Sequence, residues 1–258
     1  MLYGKSATEA QSSRRTVEVN HRNYELSSYV GAAPVRGHYL EGNEVNDNGL
    51  PQGFLVEQPP CAVTEPHFHE TNQFQVVVKG GGAFGTQHVS PLSIQYANAH
   101  TPYGPIVSGA GGITYFTLRA KWDPGAKYMP ASRDKLIKGN QRSLLVAGLE
   151  SDSMEIRAAR KSPTIETIIP EEVDRLGAWR HCLGPDQSMF AGLPTGSGGQ
   201  YVVVSEGSML HNGIWFPRMS VLFATSEETP LEILAGKDGL DLLVLQFPED
   251  NADRTERR

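Results

Sequence analysis

Two histidines one residue apart, His67 and His69, lie in the stretch Glu65-Pro66-His67-Phe68-His69 and are followed by Gln73 and then Gly80. On an extended strand, side chains two residues apart point to the same side, so both imidazoles can face one interior. Two imidazoles converging on a point make half of a metal site. The same alternation carries His69 and Gln73 on to Gln75 and Val77, which gives that interior a partly polar wall. A later strand from Ile113 turns inward either Tyr115, Thr117 and Arg119 or Thr114, Phe116 and Leu118. The first set offers a cation to an anionic substrate, with Arg119 expected at the rim.

The remaining chemistry-bearing residues carry less. His88 follows a glycine-rich turn, and His21, His38, His181 and His211 have no matching partners in sequence. Cys61 has no basic neighbour and reads as a small buried apolar residue rather than a nucleophile. Gly80-Gly81-Gly82 lacks the Lys-Ser/Thr pair and the following helix of a phosphate loop, so it reads as a tight hairpin.

The elements that must position these residues are strands. Twenty-seven Gly and seventeen Pro punctuate short runs rich in Val, Ile, Phe and Tyr, the pattern of an all-β chain. The clearest strands are Gln73 to Lys79, Leu92 to Ala97, Gly112 to Lys121, Gln200 to Ser205, Met219 to Ala224 and Gly239 to Phe247. Helices are expected only at Ser132 to Lys138 and at Pro170 to Leu176, where the proline suits a first turn. A shift of 127 residues superposes the chain on itself without a gap. Gln73 meets Gln200, Gly80 meets Gly207, Ser93 meets Ser220, Gly112 meets Gly239 and Leu118 meets Leu245, with Tyr96/Phe223 and Ile113/Leu240 as conservative pairs. Aligned glycines and equal loop lengths point to a duplicated unit. The expected division is an N-terminal arm (1–29), a first unit (30–125), a connector (126–164), a second unit (165–248) and a disordered tail (249–258). The connector region opens on the turn-forming Asp123-Pro124-Gly125.

The spacing H-x-H, three residues, Gln, six residues, Gly resembles the first motif of the cupins. The whole chain is then similar to a bicupin, two tandem jelly-roll (double-stranded β-helix) barrels. Gln73 stands where cupins usually place a metal-binding Glu; being neutral, it holds hard divalent ions less tightly. The stretch Asn98-Ala99-His100-Thr101-Pro102-Tyr103 matches the second motif, but with Tyr103 in the place of the metal-binding histidine and His100 on a glycine. The resemblance implies a metal held by His67, His69 and Gln73 together with Tyr103 or His100, and Tyr103 or His100 as the group that moves a proton. In the second unit Pro194, Gly196, Glu227 and Pro230 fall under His67, His69, His100 and Tyr103, so that barrel is expected to be a structural partner. A less favoured alternative makes Gln200, Tyr201 and His211 the lining of a metal-free pocket.

The resemblance implies a metal-dependent enzyme on a small organic molecule, first an Fe(II) dioxygenase, with Mn, Ni or Zn as other ions. An isomerase or lyase of a small carbonyl compound is the second expectation, and a non-catalytic ligand-binding bicupin the third. Analogy with other cupins adds a homodimer. Composition narrows the partners: Lys and Arg total 23 against 29 Asp and Glu, a net charge of −6 with no long basic run, which argues against nucleic acid. No apolar segment approaches the roughly 18 residues of a membrane span, and the polar N-terminus does not read as a secretory signal. Two cysteines, Cys61 and Cys182, make no disulfide framework, so a cytoplasmic setting is expected.

Overall fold

A computed structural model describes residues 1–139 and 141–249. The expected tail beyond 249 lies outside the described residues. The chain forms two units, each built on an antiparallel sheet: one spans Thr8–Glu150, the other joins Met1–Ala7 to the chain from Ser151 onward. The regular structure of the described residues is almost all strand, as the valine- and aromatic-rich runs require. Among the described residues no helix is long and apolar enough to cross a membrane.

In the N-terminal unit the strands run in the order Ser143–Val146, Ile94–Ala97, Gln73–Phe84, Ile106–Arg119, Gln52–Gln58, Arg22–Val30 and Arg15–Val19. The long strands Gln73–Phe84 and Ile106–Arg119 set Gln73 opposite Arg119 and Val77 opposite Tyr115. Alternation then sends Tyr24, Leu26, Phe54, Val56, Val77 and Tyr115 into one apolar cluster. A short ladder of Lys127–Tyr128 against His67–Phe68 brings the chain after Asp123 back over the histidines.

The other unit orders its strands Leu2–Lys5, Val221–Ala224, Gln200–His211, Glu232–Gln246, Gly177–Leu183 and Thr164–Ile169. The 127-residue correspondence recurs in the backbone. Gly80 and Gly207 have φ of +72° and +74°, and a Cβ on them would lie 2.2 Å and 2.0 Å from the carbonyl oxygens of Gly112 and Gly239. Only glycine fits such a close approach.

Three local expectations are corrected. Pro170–Leu176 is not a helix: Arg175 takes φ +74° and closes a turn with Glu172 just before the strand Gly177–Leu183. Ser132–Lys138 keeps only a single 3-10 turn, Arg133–Lys135. Residues 1–29 are not an arm, because they supply the strands Leu2–Lys5, Arg15–Val19 and most of Arg22–Val30.

Candidate functional site

The interior of the N-terminal unit holds a cavity of about 580 Å³, its open mouth included. Tyr24, Leu26, Phe54, Val56, Tyr115 and Tyr128 make its apolar walls, while His67, His69, Gln75, Tyr103, Thr117 and Arg119 supply polar atoms. Arg36 lines the mouth from an exposed position. Strand alternation therefore turns Tyr115, Thr117 and Arg119 inward. Arg119, however, is not at the rim: it is 2% exposed and forms part of the buried floor.

That floor is one hydrogen-bonded network. The His69 Nδ1–H donates to Asp123 Oδ1 at 2.7 Å, and the same carboxylate accepts the backbone N–H groups of Glu70 and Gly125 at 2.8 and 2.9 Å. The Arg119 Nη2 lies 3.1 Å from His69 Nδ1 and 3.0 Å from Nε2, which sets the guanidinium against the imidazole ring. Arg119 Nε donates to Gln73 Oε1 at 3.1 Å and Nη1 to Gln52 Oε1 at 2.9 Å. Gln73 Nε2 in turn donates to the Tyr103 hydroxyl. His67 donates Nδ1–H to the Glu65 carbonyl at 2.7 Å, which leaves its Nε2 as an acceptor. Its ring packs 4.5 Å from that of Tyr103 and 5.3 Å from that of His69.

The electrostatics follow from burial. Loss of solvent, then the neighbouring His69, push His67 down to about 3, so the ring is neutral at pH 7. Burial and the Arg119 guanidinium lower His69 as well. Burial raises the Tyr103 phenol, which stays protonated. Burial alone would raise Asp123 too, but His69 and Arg119 outweigh it and hold its carboxyl well below the usual carboxylate range.

The structure thus brings His67, His69, Gln73, Gln75, Tyr103 and Arg119 together in one cavity and floor. It does not bring His100 to them. His100 sits at φ +55°, packs against Phe68 at 5.7 Å and accepts the Ile137 N–H at 3.5 Å, outside the cavity lining. The pull of the second-motif match placed His100 near the centre; its loop conformation turns it elsewhere. Cys61 is exposed rather than buried, on a turn at φ +53°. Asp123 was legible only as a turn former, and it is one, since Oδ1 caps Gly125; the same oxygen also holds His69. An inward arginine needs an anion, and Asp123 is the next acidic residue after Arg119, a signal that could have found it.

The resemblance of the H-x-H stretch to a cupin motif raises the question of a divalent ion, and the donors as placed do not fit one. Among the described residues no three His, Cys, Asp or Glu side chains converge. The reachable donors are two neutral imidazoles, a neutral amide oxygen and a protonated phenol, while the Asp123 carboxylate lies behind His69. Gln73 Oε1 already accepts from the guanidinium, which also lies against the His69 ring. A dication here would add charge to a buried cation with no extra anion to balance it.

Among the described residues, the interior of the C-terminal unit carries no such cluster. It is packed with Val202, Val204, Met209, Ile233, Leu240, Leu242 and Val244. Gln200, Tyr201 and His211 do not meet there: Gln200 bonds Gln246 at 2.7 Å, Tyr201 packs on Phe223, and His211 is part-exposed on the Glu232 carbonyl.

No protein-family model matches the sequence, and no curated protein matches it either. Solved structures do resemble the fold. A candidate dioxygenase from Nostoc punctiforme is 11% identical, with 96% of this chain and 83% of that one covered and a TM-score of 0.65. A pirin from Escherichia coli in complex with nickel(II) is 13% identical, with 97% and 100% covered and a TM-score of 0.52. An oxalate decarboxylase variant from Bacillus subtilis is 9% identical, with 96% and 77% covered and a TM-score of 0.54. At these identities the likeness is one of fold, and the fold is the all-β cupin architecture. It does not fix a reaction.

Proposed function

We propose that the N-terminal barrel binds a small organic molecule without a metal ion, its apolar body among the aromatic walls and its hydroxyl or amide donors on Gln75 and His67. One observation carries this reading: Gln75 Oε1 is buried on the cavity wall with no hydrogen-bond partner. A buried acceptor left empty costs about 1–3 kcal/mol, which a donor on a ligand would recover. His67 Nε2 is a second acceptor, so a ligand with two donors fits better than a carboxylate. A base lowered to about 3 is poorly matched to proton abstraction near neutral pH, which favours binding over turnover. The test is a thermal-shift screen of hydroxylated aromatic and branched aliphatic compounds in chelator, repeated with Gln75→Leu. Stabilisation of the wild type by about 2.7 kcal/mol at a hundredfold excess over Kd is expected, with most of it gone in the variant. Shifts of equal size in both proteins would sink the reading.

A second reading, an Fe(II)-type dioxygenase or a metal-dependent isomerase or lyase, draws support from the backing of both Nδ1 atoms by Glu65 and Asp123, which fixes each ring as a carbonyl or carboxylate behind a metal-bound histidine does. The fold likeness to a candidate dioxygenase and to a nickel(II)-bound pirin points the same way. It requires Arg119 to leave Gln73 and His69. Metal-dependent dioxygen uptake that disappears in His67→Ala would establish it over the first.

A further inference from the structure

The register that pairs Gln73 with Arg119 in one unit pairs Gln200 with Gln246 in the other. At the second place the inward residue is neutral: Gln200 Nε2 donates to Gln246 Oε1 at 2.7 Å, and both side chains are buried. The architecture therefore accepts an uncharged residue there. The unit that has the histidines has instead a cation, with Nε on Gln73 Oε1 at 3.1 Å and Nη2 against the His69 ring, 3.1 Å from Nδ1 and 3.0 Å from Nε2. Its counter-charge, Asp123, lies 3.8 Å from Nη1 and stands behind His69. Guanidinium and carboxylate balance, so the floor is neutral as it stands, and a further cation would meet like charge in a poorly solvated setting.

We infer that Arg119 is the resident cation of this barrel: its guanidinium fills the place beside His69 and Gln73 that a divalent ion would take, and its removal would unmask a metal site on His67 and His69. Without the guanidinium, Asp123 is a buried anion lacking its partner, and an ion bound to the two imidazoles restores the balance. The inference stands apart from the ligand reading, since it concerns what the floor excludes rather than what the cavity admits.

Wild type, Arg119→Gln and Arg119→Gln/His67→Ala are each exposed to Ni²⁺ or Zn²⁺, desalted and analysed for bound metal, with folding checked by circular dichroism. Gln is chosen because Gln246 holds the same register in the other unit. The wild type is expected to retain under about a tenth of an equivalent, Arg119→Gln about one, and the double variant again almost none, as a site needing both imidazoles requires. Stoichiometric metal in the wild type that is lost in His67→Ala overturns the inference. So does a folded Arg119→Gln that takes up no more than wild type. Should Arg119→Gln fail to fold, Arg119→Met is judged by the same outcomes.

Discussion

Gln75 is buried on the cavity wall with an oxygen that receives no donor, while its neighbours on the floor are satisfied. Replacing such a group by an apolar one of similar volume removes the desolvation penalty with it, so Gln75→Leu is expected to leave the free protein as stable as the wild type or to stabilise it by up to about 1–3 kcal/mol. Urea unfolding measures this, and a loss above about 3 kcal/mol would mean that Oε1 has a partner. His181 gives a pH-dependent counterpart. Burial pushes it down to about 4, and its Nδ1 has no partner. The ring is neutral in the fold, so between about 6.5 and 4 only the unfolded chain gains the proton. Stability is therefore intact above pH 6.5 and falls as the pH drops to 4, by roughly 1.4 kcal/mol per unit. His181→Gln should flatten that acid limb in denaturant titrations at pH 4 to 7; an unchanged slope would refute the assignment. At this scale the inward side of His67, His69 and Gln75 was legible because strand side chains repeat every two residues. The depth of Arg119 and the pairing of Asp123 with His69 were not, because both depend on contacts between strands far apart in sequence.

The elements owe their positions to a few glycines as much as to apolar alternation. Gly80 and Gly207 combine a positive φ with a carbonyl oxygen pressed against the missing Cβ. Gly42 has φ +82° but open space around it. The two costs can therefore be separated. Gly42→Ala should cost only the left-handed penalty of about 1–2 kcal/mol, whereas Gly80→Ala and Gly207→Ala should each lose about 3 kcal/mol or more as strand and carbonyl are forced apart. Equal losses at all three positions, measured in urea, would show that the close approach adds nothing. These glycines were visible as an aligned pair at a separation of 127, and the strands they join were visible by composition. The false helix at Pro170–Leu176 shows where local signals fail, since a proline at a first-turn position says nothing of Arg175 turning to φ +74° five residues later.

For the whole molecule, the least legible feature is the strand Leu2–Lys5. It pairs antiparallel with Val221–Ala224, and no local pattern announces a contact between such distant segments. The Thr225 backbone N–H donates to the Met1 carbonyl at 3.1 Å, which fastens the start of the strand. In that sheet Val221–Ala224 is held on its other side by Gln200–Val203. Removing Met1–Lys5 would leave Val221–Ala224, all four residues buried, as an open apolar edge with unpaired backbone groups. Net backbone bonds of about 0.5–1.5 kcal/mol each then set the expected loss at a few bonds' worth, together with a new tendency to aggregate. Trp179 and Trp215 lie in this unit and Trp122 in the other, so variants that keep only Trp122 or only the other two report each unit by fluorescence. The deletion should lower the transition seen by Trp179 and Trp215 while ligand stabilisation seen by Trp122 persists. If instead both transitions stay where they are, the N-terminal strand contributes nothing to the sheet in solution and the pairing with Val221–Ala224 is disproved.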